Sequence, residues 1–376
     1  MCAKSFQLQS TVTPEGKLRL ALAELDVPTP APDEVVVEVQ AAPINPSDLG
    51  LLLAWADPMA ARQEGTSERP EIAADLPPQL MHALAARVGK PMFVGNEGAG
   101  VVVASGDSEA ARALMGKAVA MIGGGMYARH RKLPAAMCAP LPEGVTPRQA
   151  GSWFVNPMTV LCMLETMRAE GHTALVHTAA ASNLGQMLHK ACATDGVRLV
   201  NIVRRPEQVA LLKSLGAKYV LDSQTDTFKD DLVDALTETG ATLAFDAIAG
   251  GELASRILAA MESAASRNAT EYNRYGSGTH KQVYIYGVLD RLPTVLHRNY
   301  GFAWGVGGWL LTPRLGQFSH KVEAMRARVL SEITTTFASH YTQEISLRDA
   351  LRLPTLQRYA KQATGEKFLI NPSLDA

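Results

Sequence analysis

The chain has 376 residues, more than one hydrophobic core usually serves, so two domains are expected. Hydrophobic residues make up 47% and charged residues 19%, a balance that suits a compact globular protein and excludes extended disorder. Lys plus Arg number 36 against 37 Asp plus Glu, a formal charge of −1, so no global field draws nucleic acid or an anionic membrane and small-molecule partners are expected.

The N-terminus, Met1-Cys2-Ala3-Lys4-Ser5-Phe6-Gln7, has no apolar signal core, and no stretch reaches the ~18 apolar residues of a membrane span, which predicts a cytoplasmic protein. Residues 35–42, mixing β-branched residues with alternation after Pro28, Pro30 and Pro32, predict a strand. Residues 98–104 and 118–122 predict two more, so the first part of the chain reads as β-rich. Residues 51–90 differ. They are rich in Ala, Leu and Met, broken by Gly65-Thr66-Ser67-Glu68-Arg69-Pro70 and by Pro77-Pro78, and predict two short helical pieces and a loop, serving as packing or as a lid over a site.

After Pro157 strands alternate with helical stretches, the pattern of a parallel sheet covered by helices. Ala174-Leu175-Val176-His177-Thr178 is a first strand, followed by a helix over residues 184–193; residues 197–203 are a second strand. Pro206 opens the next helix and Gly216 closes it, before a third strand at Tyr219-Val220-Leu221. Leu243-Ala244-Phe245-Asp246 and Val283-Tyr284-Ile285-Tyr286-Gly287 continue the series, the latter after a polar tract, residues 266–282, read as a surface loop.

Cys2, Cys138, Cys162 and Cys192 are scattered, with neither metal-ligand spacing nor a disulfide framework. His172, His177 and His189 also lack ligand spacing. Asn268-Ala269-Thr270 matches a glycosylation sequon but carries no weight without a secretory signal.

The turn after the first parallel strand reads Ala179-Ala180-Ala181-Ser182-Asn183-Leu184-Gly185. Small residues there let the backbone approach a pyrophosphate, whose charge sits at the N-terminus of the following helix. Of a Gly-x-Gly-x-x-Gly fingerprint only Gly185 survives. Its place between a strand and a helix is what supports the reading, with Ala180, Ser182, Asn183, Leu184 and Gly185 as candidate cofactor contacts. The second strand ends Asn201-Ile202-Val203-Arg204-Arg205, about 20 residues on, where an NAD enzyme carries an acid for the ribose hydroxyls. Arg204 and Arg205 are either partners for a 2′-phosphate, which favours NADPH, or solvated charges at a strand end.

Pro43-Ile44-Asn45-Pro46-Ser47-Asp48, Gly95-Asn96-Glu97-Gly98-Ala99-Gly100-Val101, the Ala-rich turn and Leu215-Gly216-Ala217-Lys218-Tyr219-Val220 stand in a particular order. That order and approximate spacing resemble the zinc-free NADPH:quinone oxidoreductase-like family of the medium-chain dehydrogenase/reductase superfamily. The resemblance covers nearly the whole chain, residues 51–90 being its least typical part. It implies an α/β protein with a GroES-like β domain and a Rossmann doubly wound parallel-sheet domain. Residues 1–155 would open the catalytic domain, 156–334 bind NADP, and 335–376 return to the first domain through Gly365-Glu366-Lys367-Phe368-Leu369-Ile370. It also implies a homodimer joined through a late Rossmann strand, with Gly308-Trp309-Leu310-Leu311-Thr312-Pro313 as the candidate.

By the same resemblance, zinc-dependent relatives carry Cys where Asn45 stands and His where Asn96 stands. Neither amide replaces those ligands, so catalysis without zinc is expected. Without a Lewis acid, a quinone or enone, which spreads incoming charge over a conjugated system, is the expected hydride acceptor. Asn45 should then lie beside the nicotinamide ribose or the substrate. Tyr127, after Gly123-Gly124-Gly125-Met126, is a candidate to orient or donate a proton, or else a core tyrosine. Asn156 and Thr159, in Asn156-Pro157-Met158-Thr159-Val160, and Gly287-Val288 are expected cofactor contacts. Asp48 reads as a turn or cap residue, Glu97 as structural, and Trp55 as pocket lining or core. Two rivals stand beside this reading: an enoyl thioester reductase, and an NADPH-binding sensor or structural protein with little turnover.

Overall fold

The structure, a computed structural model, describes residues 4–267 and 269–375; Cys2 and the sequon residue Asn268 lie outside them. The chain divides into two compact units, residues 1–155 with 328–376, and residues 156–327.

The first unit begins with β1 (Lys4–Val12) and β2 (Lys17–Asp26), an antiparallel hairpin in register from Lys4↔Asp26 to Val12↔Leu18. Leu8, Ser10 and Val12 face inward along β1, the period of two that half-buried strands require. β3 (Glu34–Pro43) buries Val35, Val36, Val37 and Val39, each contributing roughly 1.5–3 kcal/mol against exposure. Pro43 ends it, and the helix Pro46–Leu53 follows at once, with Pro46 at a position where its missing N–H costs nothing.

The 51–90 segment corrects the expectation. It holds β4 (Arg62–Gly65), β5 (Pro70–Asp75) and only short helical turns after Pro77. The Gly65 to Pro70 break is a hairpin turn, with Gly65 at φ 74. Ala-rich composition suggested helix, but β5 pairs with β2, burying Ile72, Ala73 and Ala74, so tertiary pairing overrode local propensity. Gln63 ties the hairpin to the C-terminal region, donating to the Leu351 carbonyl at 3.1 Å and accepting from Leu353 N at 2.7 Å.

β6 (Met92–Phe93) completes the first sheet, in the order β4-β5-β2-β1-β6. β7 (Glu97–Ser105), β8 (Ala118–Ile122), β9 (His130–Pro134) and β10 (Cys138–Pro140) build the second around β3.

In the second unit, β11 (Ala174–His177), β12 (Arg198–Val203), β13 (Tyr219–Asp222) and β14 (Leu243–Asp246) are parallel strands separated by helices. β15 (Ala249–Gly251), β16 (Lys281–Ile285), β17 (Asp290–Thr294) and β18 (Trp304–Gly308) follow. The main sheet runs β13-β12-β11-β14-β16-β18, so the chain reverses direction of growth between β11 and β14. Ligands of such sheets bind at that switch, outside the carboxyl ends of the strands. The sheet's edge is β18, so most of the 308–313 run expected as an interface strand lies beyond it, in a turn and the helix Leu311–Gln317. The 266–282 tract is less free than expected: Glu262 accepts from Ser277 N at 2.7 Å and pairs with the fully buried Lys281.

β19 (Gln343–Ile345) and β20 (Phe368–Ile370) return the chain to the first unit, whose second sheet runs β10-β8-β7-β3-β20-β19. Among the described residues no helix is long and apolar enough to cross a membrane.

Candidate functional site

In the first unit, strand register assembles a buried polar cluster. β20 runs antiparallel to β3 with Leu369↔Pro43, so two residues further out Lys367 faces Asn45. On the other side β7 pairs with β3 at Ala41↔Ala99, which brings the β7 start, Glu97, beside the β3 end. Lys367 Nζ donates to Asn45 Oδ1 at 2.9 Å, and Asn45 Nδ2 donates to Glu97 Oε1 at 2.8 Å. Glu97 Oε2 accepts from the main-chain N–H groups of Phe154 (2.7 Å) and Val155 (2.9 Å).

Asp48 performs the cap role expected of it, accepting from Asn45 N and Asn96 N, both at 2.8 Å. Burial pushes its carboxyl up to about 7, against the pull of those two N–H groups, and the charge on Glu97 adds to the rise. Burial also raises the Glu97 carboxyl, which Lys367 and its hydrogen bonds oppose. The Lys367 ammonium is lowered by burial, while Glu97 and Asp48 hold its charge. Asn96 is turned to Ser47, its Nδ2 donating at 3.0 Å.

Tyr127 sits in the core, 0% exposed, with its hydroxyl donating to the Pro43 carbonyl at 3.1 Å. Its ring packs so close to Gly95 that a Cβ there would come within 2.6 Å. The hydroxyl thus ties the ring to the end of β3. Trp55 is 47% exposed and is not a core residue; it and Ala54 adopt left-handed backbone, at φ 69 and 48.

In the second unit, the 179–185 turn, Arg204, Arg205, Gly287 and Val288 follow the carboxyl ends of parallel strands. Ala179 takes a left-handed conformation, φ 50, to turn the chain after β11. Ser182 caps the helix Asn183–Thr194 by accepting from Gly185 N at 3.1 Å, so this hydroxyl occupies one main-chain donor and leaves Asn183 and Leu184 at the helix's first positions. A Cβ on Gly185 would lie 2.2 Å from the Ala180 carbonyl oxygen, which is why this glycine of the fingerprint survives. Gly185→Ala is accordingly expected to displace the 179–185 turn, costing roughly 1–3 kcal/mol of stability in thermal unfolding and weakening any pyrophosphate ligand measured by titration.

Arg204 and Arg205 are exposed just past β12. Arg205 pairs with Glu207 at 3.0 Å, whereas Arg204 bonds Gln208 through its main-chain N–H alone among the described contacts. Gly287 and Val288 line an open groove of about 390 Å³ with Tyr286, Trp309 and Leu310. Asn156 and Thr159 lie on the helix Val155–Ala169, both buried.

Sequence reading missed two contributors. Lys367 was visible only as the start of a returning strand, and register with β3 is the signal that places it. Asp246, at the end of β14, accepts from Thr178 Oγ1 at 2.7 Å and from Ile248 N at 2.9 Å, bracing the turns beside the switch point. His177 is buried against Tyr286 at 2.7 Å, and burial lowers its imidazole to about 3. Among the described residues no group of three His, Cys, Asp or Glu could hold a metal ion.

A GroES-like β unit and a doubly wound parallel-sheet unit in one chain define the medium-chain dehydrogenase/reductase architecture. Residues 31–143 match the alcohol dehydrogenase GroES-like domain. A solved protein of Mesorhizobium loti, assigned as an NADPH:quinone reductase, superposes with a TM-score of 0.73 at 25% identity, covering 99% of each chain. Prostaglandin reductase-3 of Mus musculus is 31% identical over 164 residues, 43% of this chain and 42% of its own. The mitochondrial enoyl-[acyl-carrier-protein] reductase of Xenopus tropicalis is 28% identical over 213 residues, 54% of this chain and 52% of its own. The match thus spans about half the length of these curated relatives. Residues 31–143 thus carry an alcohol dehydrogenase GroES-like domain, and the chain over nearly its whole length is similar to a quinone reductase of the medium-chain dehydrogenase/reductase architecture.

Proposed function

We propose that this protein is a zinc-independent, NADPH-dependent oxidoreductase that reduces a quinone or another α,β-unsaturated carbonyl compound. The observation that carries the reading is the row of strand ends in the second unit, where a small-residue turn at a helix N-terminus precedes a strand closed by two arginines. Residues 156–334 form the NADP-binding part, and residues 1–155 with 335–376 the catalytic part. The turn of Ala180, Ser182, Asn183, Leu184 and Gly185 lies against the pyrophosphate, with Ala180, Ser182 and Gly185 shaping it through their own main-chain bonds and Asn183 and Leu184 at the helix N-terminus facing the charge. Arg204, with Arg205 when it leaves Glu207, takes the 2′-phosphate. Asn156, Thr159, Gly287 and Val288 orient the nicotinamide end. When bound, the reduced nicotinamide supplies the hydride.

Asn45 serves the acceptor side. An amide whose oxygen already receives an ammonium hydrogen bond is a poor cation ligand, and Asn96 is no better, so the donor set suits an organic acceptor and not zinc. The partner surface proposed for a homodimer is the β18 edge, flanked by exposed Phe302 and Leu310.

The test is a screen of quinones, enones and enoyl thioesters with NADPH deuterated at nicotinamide C4. Turnover is expected, with deuterium kept on carbon in a reduced enone or enoyl thioester and lost to water from a hydroquinone, and without stoichiometric zinc or loss of rate on chelation. Efficient turnover confined to enoyl thioesters would favour the enoyl reductase reading, for which the Xenopus tropicalis relative speaks. NADPH binding without consumption would favour a sensor.

A further inference from the structure

We propose that Asp246 and Thr178 are positioning residues for the nicotinamide end of the cofactor: together they fix the turn that sets where Gly287 and Val288 stand. The inference rests on the reading above that Gly287 and Val288 meet the nicotinamide, and every residue it uses belongs to the second unit. Asp246 ends β14 and Thr178 follows β11, and both are buried, at 1% and 0% exposure. Thr178 Oγ1 donates to Asp246 Oδ1 at 2.7 Å and accepts from Ala247 N at 2.9 Å. Asp246 accepts from the next two main-chain N–H groups, Ile248 to Oδ1 at 2.9 Å and Ala249 to Oδ2 at 3.2 Å. Two side chains thus hold three consecutive N–H groups. They keep Ala249 in the left-handed region, φ 70, which residues with a Cβ adopt only when their surroundings impose it.

What this turn holds in place is the segment after β16. Asp246 O accepts from Tyr286 N at 3.0 Å, Ala247 O from Leu289 N at 3.1 Å and Ile248 O from Asp290 N at 2.9 Å. Gly287 lies against Ala247: a Cβ on it would come within 2.9 Å of the Ala247 oxygen. Gly287 and Val288 therefore stand between two anchored residues, Tyr286 and Leu289, where they line the groove of about 390 Å³, Val288 being 55% exposed. A shift of Ala247 passes directly to that wall. The 179–185 turn, by contrast, is held by bonds of its own, Ala180 N to Ile202 O and Gly185 N to the Ser182 hydroxyl, neither of which involves Asp246 or the Thr178 hydroxyl. The pair governs the nicotinamide end and leaves the pyrophosphate end alone.

The test compares NADPH with 2′-phospho-ADP-ribose, which has a hydroxyl in place of the nicotinamide, by calorimetric titration of the full chain. Thr178→Val removes the hydroxyl and keeps the branched shape, and Thr178→Ser keeps the hydroxyl. Asp246→Asn turns an amide N–H toward Ala249 N in place of an acceptor. Thr178→Val and Asp246→Asn are each expected to weaken NADPH about tenfold and to leave 2′-phospho-ADP-ribose unchanged, while Thr178→Ser binds both as the unchanged protein does. A purely structural role would lower the melting temperature without separating the two ligands. Where Asp246→Asn fails to fold, Thr178→Val decides. Equal losses for the two ligands, undiminished NADPH affinity in a folded Thr178→Val, serine failing as valine does, or unfolding of both Thr178→Val and Asp246→Asn would each overturn the positioning role. If the unchanged protein binds NADPH no more tightly than 2′-phospho-ADP-ribose, the assignment of Gly287 and Val288 to the nicotinamide falls, and this inference with it; if it binds neither, the NADPH reading itself falls.

Discussion

Glu97→Leu is expected to cost about 3–5 kcal/mol of stability. The carboxylate accepts from three donors at once, Asn45 Nδ2, Phe154 N and Val155 N, and leucine would take this acceptor away from all three. It would also strip Lys367 of one of its two sustaining negative charges. Thermal unfolding should show a fall on the order of 10 °C. Glu97→Gln keeps an acceptor for the main-chain donors and should cost less. Equal losses in the two variants would mean that charge, and not hydrogen-bond satisfaction, is what Glu97 provides.

Arg204→Ala is expected to weaken NADPH binding roughly tenfold to a hundredfold and to leave NADH binding almost unchanged, because a charge-assisted bond to phosphate is worth ~1.5–3 kcal/mol. Arg205→Ala should have the smaller effect, since Arg205 already pairs with Glu207 and gives up that contact to reach a phosphate. Dissociation constants of both cofactors for each variant and the double variant decide the matter. A ratio of NADPH to NADH affinity that does not move in any of the three would make these arginines surface charges and remove the main support for NADP preference.

Much of the architecture was legible from local pattern. β11, β12 and β14 read as strands because buried parallel strands are continuous apolar runs, and Pro206 and Gly216 bracket their helix for reasons that lie within one turn of backbone. The 179–185 turn between strand and helix was legible despite its missing glycines, and the structure shows why a glycine stands at 185: only a residue without a Cβ clears the Ala180 carbonyl. The 62–75 hairpin was not legible. Its Ala-rich stretch has no strong propensity of its own, and the edge of β2 decided its conformation.

The amino-acid sequence by itself determined the alternation of strands and helices in the second unit, the family resemblance, and the chemical types at the candidate sites, because hydrophobic period, turn residues and charge are properties of short segments. Tertiary structure decided which of those groups meet. Resemblance suggested Tyr127 as a site residue, but only packing shows its hydroxyl donating to the Pro43 carbonyl. Lys367 stands 322 residues from Asn45, and no local pattern joins them; the antiparallel register of β20 on β3 does, because each pair of facing residues fixes the next along both strands.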